Sequence, residues 1–189
     1  SAASDVYKRQ DVHRQEYQGV AAGKQRLRYS TNHDLASERS PLQVYKNARG
    51  AMAAYVIAAT LGGAPLIYSS QEIGYPQALS FFNYQPMDWN SNSTYLNEYK
   101  KLMELYRTHS VLRSAGIKTY DTGKAAAIYR ASGDEAVLIV VNTSNEAEKI
   151  KVPIERVGDR VRNLMDDQVM TLPVSLTLEP YQYYIWKKE

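Results

Sequence analysis

The chain has 189 residues, 44% of them hydrophobic and 23% charged, and 23 Lys+Arg against 20 Asp+Glu leave a formal net charge of +3. This balance, with Gly 10 and Pro 7, excludes wholesale disorder and collagen-like or low-complexity sequence. The absence of cysteine excludes disulfide scaffolds, cysteine nucleophiles and cysteine-ligated zinc, while leaving the compartment open. So small a charge gives no field for nucleic acid or anionic lipid, and the pairs Lys100-Lys101 and Lys187-Lys188 read as solvated faces.

Residues 1–10 (SAASDVYKRQ) carry no apolar periodicity and no signal-peptide core, and read as a non-native leader or scar. Arg26 to Ser30 places Leu27 and Tyr29 on one face, which predicts a short strand. Ser40-Pro41-Leu42-Gln43 then supplies an N-cap serine, a first-turn proline and a third-position glutamine, the components of a capping box. The predicted helix runs from Pro41 to Leu61, with Gly62 suited to the left-handed position beyond its end. Gly50 to Tyr68 is uncharged and long enough to be tested as a membrane span. However, Gly62-Gly63 and Pro65 interrupt it, so the sequence predicts a buried helix followed by a buried strand, Ala64 to Tyr68, and no span.

Ser69 to Thr94 is a long loop, and loops of that length inside a domain are usually functional. Leu96 to Val111 reads as a helix with Leu96, Tyr99, Leu102, Met103 and Tyr106 on one stripe. The order strand, helix, strand, helix belongs to parallel α/β sheets. From Gly116 the period shortens. Ile117–Tyr120, Ala126–Ala131, Ala136–Val141, Lys149–Val152, Arg162–Met165, Val174–Leu178 and Tyr183–Trp186 alternate with turn-formers, as in an antiparallel β-sandwich. The expected organisation is α/β plus all-β, with one region over 11–115 and a β-sandwich over 116–189. Tyr 16 against Phe 2 suits half-buried packing and also sugar-stacking surfaces.

His13, His33 and His109 form no metal-binding pair, and no phosphate-cradling glycine motif or nucleophile elbow occurs. Asn32-His33-Asp34 stands apart by position, immediately after the first predicted strand. Loops at the carboxyl ends of parallel strands form ligand sites, and these residues could offer a substrate an amide, an imidazole and a carboxylate. The same triplet could equally be a polar turn.

The ordered set Tyr29-Ser30-Thr31-Asn32-His33-Asp34, Gly63 through Gly74 (GAPLIYSSQEIG), Phe81-Phe82 and Pro86-Met87-Asp88-Trp89 resembles the last quarter of the α-amylase clan, glycoside hydrolase family 13. The resemblance spans roughly Lys24 to Trp186. It implies the last two βα units of a TIM (β/α)8 barrel, followed by the clan's β-sandwich domain C. Tyr29 and Ala64 depart from the residues most common there. By position, Asp34 resembles the clan's third carboxylate, which stabilises an oxocarbenium-like transition state, and His33 resembles the imidazole that binds the same sugar. Asn32 is expected to support the turn, Gln71 and Glu72 to be structural, with Glu72 a candidate hydrogen-bonding partner between loop and barrel, and Trp89 and Tyr75 to pack, with contact to sugar as their alternative role.

A retaining glycosidase needs a nucleophile and a general acid about 5 Å apart, and the resemblance places both upstream of residue 11. A whole barrel takes about 250 residues. The sequence thus reads as a C-terminal fragment of a retaining α-glycosidase acting on starch- or maltodextrin-like substrates. Its partners would be an oligo- or polysaccharide and the missing N-terminal barrel, and the fragment alone is expected to be inactive. No cofactor is expected in this segment; calcium often accompanies the clan, with its usual ligands upstream. Transglycosylation, α-glucoside isomerisation and a non-catalytic carbohydrate-binding homologue are the alternatives that this pattern leaves open.

Overall fold

The structure, a computed structural model, describes residues 15–189 except 22, 115 and 123; the expected leader at 1–10 lies outside the described residues. Helices come first. After the two-residue strand β1 (Leu27–Arg28) follow α1 (His33–Glu38), α2 (Pro41–Val44) and α3 (Ala48–Thr60), then β2 (Ala64–Pro65), α4 (Ser93–Thr108) and α5 (Val111–Ser114). The capping box at α2 forms as expected: Ser40 accepts from the Gln43 N–H, and the Gln43 side chain accepts from the Ser40 N–H.

The single helix expected over 41–61 is two helices. Asn47 starts the second one, its Oδ1 accepting the Gly50 N–H at 2.9 Å, while Lys46 turns left-handed with φ +78°. The Tyr45 carbonyl folds over Gly50 so closely that a Cβ there would lie 2.0 Å from its oxygen. A capping asparagine therefore competes successfully with helix continuation. Gly62 adopts φ +89° just beyond α3, where the sequence anticipated it. The long uncharged run is interior: Ala51, Met52, Ala53, Tyr55, Val56 and Ala59 are all buried. Among the described residues no helix is long and apolar enough to cross a membrane.

Strands β1 and β2 pair in parallel, Leu27 opposite Ala64 and Arg28 opposite Pro65. Both are shorter than expected. Gly63 makes the approach feasible, because a Cβ would sit 2.4 Å from the Arg26 carbonyl oxygen. On α4 the buried stripe is Tyr95, Tyr99, Leu102 and Leu105, flanked by partly buried Met103 and Tyr106.

The β region comprises β3 (Gly116–Thr122), β4 (Ala125–Ser132), β5 (Glu135–Val141), β6 (Glu148–Lys151), β7 (Arg160–Asn163), β8 (Val169–Thr171), β9 (Ser175–Leu178) and β10 (Tyr183–Lys188). All seven expected runs are strands within about two residues; β8 was not anticipated, being three residues long and largely exposed. The order β3-β4-β5-β10-β7-β8 makes an antiparallel six-stranded sheet, and β6-β9 form a separate ribbon. Period-two alternation divides the sheet's side chains between two cores. Leu138, Val140 and Trp186 pack with Ile150 and Leu178 of the ribbon. Val137, Ile139, Val141 and Ile185 face the other way and join Met52, Tyr55, Val56, Tyr99 and Leu102 of the helices.

Polar contacts tie helices to sheet. Arg130 on β4, 1% exposed, donates from Nη1 to the Thr60 carbonyl at the end of α3, at 2.9 Å. Burial pushes its guanidinium down to about 10. His109, just past α4, contacts the Glu135 carboxylate at the start of β5, and Lys187 lies 3.6 Å from the same oxygen. Burial works to raise the Glu135 carboxyl, but the His109 ring, the Val111 N–H and the Lys187 charge outweigh it and hold the group below the usual carboxylate range.

Arg130→Ala should lower the unfolding free energy by about 2–4 kcal/mol through lost packing and an unpaired carbonyl, measured by urea denaturation. A loss below about 0.5 kcal/mol would mean that the guanidinium does not hold helix to sheet. Because Glu135 is depressed in the folded state, its contribution is full above the ordinary glutamate value and fades as pH falls through the depressed one. Glu135→Gln should therefore destabilise the protein at neutral pH and flatten the acid side of its melting-temperature profile. An unchanged slope would contradict this assignment.

Candidate functional site

The triplet singled out in the sequence lies just past β1. Asn32 is the N-cap of α1, its Oδ1 accepting the Leu35 N–H at 2.9 Å, so it builds the turn as anticipated. His33 and Asp34 occupy the first turn, where a carboxylate is favoured by the N–H groups of the helix start. The His33 Nε2 lies 3.4 Å from Asp34 Oδ1, and the two side chains are 69% and 77% exposed. Such an exposed contact contributes little to stability. The side chains are held by their backbone positions and remain free to meet a ligand.

The loop beyond β2 closes against this turn. The Tyr68 ring stands 6.5 Å from that of His33, tilted by 56°. Gln71, 2% exposed, donates from Nε2 to Ser30 Oγ at 2.9 Å and to Tyr99 OH at 3.0 Å, while its Oε1 accepts the Tyr68 N–H at 3.3 Å. One buried amide thus ties together the segments that follow both parallel strands and anchors them to α4. Tyr45 OH adds a 3.1 Å bond to the Ser30 carbonyl. Farther along the loop, Ser40 Oγ donates to the Pro76 carbonyl, and the Leu79 N–H donates to the Ala36 carbonyl two residues from Asp34. Ser70 holds a left-handed backbone (φ +64°) while buried, a conformation that costs about 1–3 kcal/mol in a non-glycine residue and persists only under such constraint.

Gln71 is structural, in keeping with the sequence, but its role as a bridge between the two strand ends is visible only in three dimensions. The Glu72 Oε2 is buried without a hydrogen-bond partner among the described residues. Trp89 is 48% exposed, and Tyr75 OH donates to Gln77 Oε1 at 3.5 Å. Tyr68 and Ser30 were not expected at the site; their signal is position, since Ser30 lies two residues beyond β1 and Tyr68 three beyond β2. Among the described residues no group of three or more His, Cys, Asp or Glu is placed to hold a metal ion.

Residues 120–185 match the maltogenic amylase C-terminal domain. A cyclomaltodextrinase from Geobacillus thermopakistaniensis is 29% identical over 141 residues, 69% of this chain and 24% of its own length. The chain thus spans about a quarter of that relative. An α-amylase from Lactobacillus plantarum superposes with a TM-score of 0.76 over 95% of this chain and 42% of its own, at 17% identity. A noncanonic maltogenic α-amylase from Thermotoga neapolitana gives 0.75 over 94% and 44%, at 16% identity. At such identities the superpositions speak for the fold. Taken with the domain match and the cyclomaltodextrinase, they show that residues 120–185 are similar to the maltogenic amylase C-terminal domain and that the chain is similar, over part of their length, to α-amylases of glycoside hydrolase family 13.

Proposed function

We propose that this chain is the C-terminal part of a retaining α-glycosidase acting on α-glucosidic linkages of starch- or maltodextrin-like substrates. The parallel pair β1–β2, with α1 to α3 between its strands and α4 after it, is read as the last two βα units of a (β/α)8 barrel. The β strands from Gly116 onward serve as its domain C. The observation that carries the reading is the His33–Asp34 pair, exposed in the turn beyond a parallel strand and adjoined by the loop that follows its neighbour.

In this reading Asp34 is the third carboxylate. Positive charge develops at the anomeric carbon as the glycosidic bond breaks, and a fixed carboxylate that grips the sugar hydroxyls favours that distorted state over the ground state. The His33 imidazole supplies a hydrogen bond to the same ring. The nucleophile and general acid, about 5 Å apart in retaining enzymes, would come from the longer parent. Exposed Leu27 (55%) and Tyr29 (43%) support the reading, since a parallel strand pair is ordinarily covered on both faces.

In the longer parent enzyme, Asp34→Asn should reduce kcat on maltodextrin by about 10³-fold or more with an unchanged melting temperature. A variant that keeps most of its kcat would remove Asp34 from the mechanism. The 189-residue chain itself should release no reducing sugar from maltoheptaose. Turnover that disappears with Asp34→Ala would overturn the division of catalytic groups.

A further inference from the structure

The two groups proposed to meet the sugar stand largely in solvent, so their geometry is inherited from the backbone that carries them. On one side of the turn is the Asn32 cap. On the other is Ser30, which is held twice: its carbonyl accepts from Tyr45 OH at 3.1 Å, and its hydroxyl accepts from Gln71 Nε2 at 2.9 Å. Tyr68, whose ring adjoins that of His33, is bound to Gln71 in both directions. The Gln71 N–H donates to the Tyr68 carbonyl at 3.1 Å, and the Tyr68 N–H donates to Gln71 Oε1 at 3.3 Å. One side chain therefore sets the spacing between the turn that bears His33 and the ring beside it.

The orientation of that amide follows from its neighbours. The Tyr68 N–H can only donate, so the Gln71 oxygen faces it and the nitrogen faces Ser30 and Tyr99. Each of the two amide protons then has an acceptor. Tyr99 fixes the far end: it is 1% exposed on α4, with its ring 4.8 Å from that of Tyr55 and 5.3 Å from that of Tyr95. A buried donor or acceptor left without a partner costs about 1–3 kcal/mol. The satisfied arrangement is thus strongly favoured, and it links the packed face of α4 to the segments beyond both parallel strands.

We infer that Gln71 and Tyr99 are positioning residues for the reaction at His33–Asp34, carrying the rigidity of the α4 core to the turn through Ser30 and to the imidazole through Tyr68. This rests on the proposed role of Asp34 and adds to it: neither residue touches substrate, and both act by confining the groups that do. Their contribution is orientation, since a misplacement of about 1 Å at a reacting group can cost about 10²-fold in rate.

The test compares Tyr99→Phe, Gln71→Met and the double variant in the longer parent enzyme on maltodextrin. Tyr183→Phe is the control, because it also removes one buried tyrosine hydroxyl, here bonded to Glu98. Tyr99→Phe keeps the ring and deletes the acceptor; it should lower kcat about tenfold and change KM less than about twofold. The double variant should be no slower than Gln71→Met alone, because both changes break the same link. Tyr183→Phe should lower the melting temperature as much as Tyr99→Phe does and keep its kcat. In the 189-residue chain, Tyr99→Phe should move the ¹³C resonances of the His33 ring and the amides of Ser30 and Tyr68, while Tyr183→Phe leaves them in place. Equal losses of kcat in Tyr99→Phe and Tyr183→Phe would reduce Tyr99 to packing and overturn the inference. An unchanged kcat in Tyr99→Phe, where Asp34→Asn has lost its own, would overturn it with the activity reading intact. Should Asp34→Asn keep its kcat, the activity reading falls, and with it the positioning of a reaction at this turn.

Discussion

Strand β5 is buried on both faces, and everything else in the molecule is arranged around that requirement. Its sequence, Glu-Ala-Val-Leu-Ile-Val-Val, sends Val137, Ile139 and Val141 toward the helices and Leu138 and Val140 toward the β6–β9 ribbon. Neither set can be left to water without losing roughly 25 cal/mol for each Å² of apolar surface. The sheet therefore needs α3 and α4 on one side as much as it needs the ribbon on the other. A division at residue 115, natural from the change of sequence period, cuts through one continuous hydrophobic cluster. Arg130 fits the same constraint. It occupies an inward position on the helix side of β4, and its charged end is accommodated by a helix terminus whose carbonyls lack intrahelical partners.

The tyrosine-rich composition follows from the way this core meets its loops. Phenylalanine would fill the same space, but the ring hydroxyls reach backbone groups at places where regular hydrogen bonding stops. Tyr95 OH binds the Ala48 carbonyl at the start of α3, Tyr106 OH binds Gly63 beside β2, and Tyr45 OH binds Ser30 after β1. Burial pushes the Tyr95 hydroxyl up to about 12 and raises Tyr55, Tyr99 and Tyr183 as well, so all four remain neutral donors at ordinary pH. Through Tyr99 and Gln71 this network ends four residues short of Asp34. The position of the exposed acid is thus set by the interior, even though the acid itself touches almost nothing.

Legibility in the sequence tracked the range of the forces involved. The Ser40 capping box, the left-handed Gly62 and seven of the eight strands of the β region depend on near neighbours, and local pattern sufficed for them. The break between α2 and α3 is also local, set by the Asn47 cap and the left-handed Lys46, yet the helix expected from Pro41 to Leu61 runs across it. The shortness of β1 and β2 is different in kind, because strand length in a parallel pair depends on partners that periodicity does not reveal. For the site, Asn32, His33 and Asp34 could be picked out because they follow a strand directly. The Gln71 bridge could not, since its meaning lies in contacts 28 and 41 residues distant.

The exposure of Asp34 bears on how the proposed chemistry is shared along a longer chain. A unit charge 4 Å from another is worth about 1 kcal/mol in bulk water and about 4 kcal/mol at an effective dielectric constant of 20. Electrostatic stabilisation large enough to matter for glycosidic cleavage therefore needs walls that displace water as well as a carboxylate that is in place. Here the carboxylate's backbone is fixed by a helix cap and its neighbouring loop by a buried amide, while the side chain stands largely in solvent. In the proposed function position and dielectric are supplied separately: this segment sets where the charge sits, and the walls of the longer enzyme would set how strongly that charge is felt. On the proposed reading, an acid anchored only through its backbone would be silent by itself and would still be the group whose removal costs the longer enzyme most of its rate.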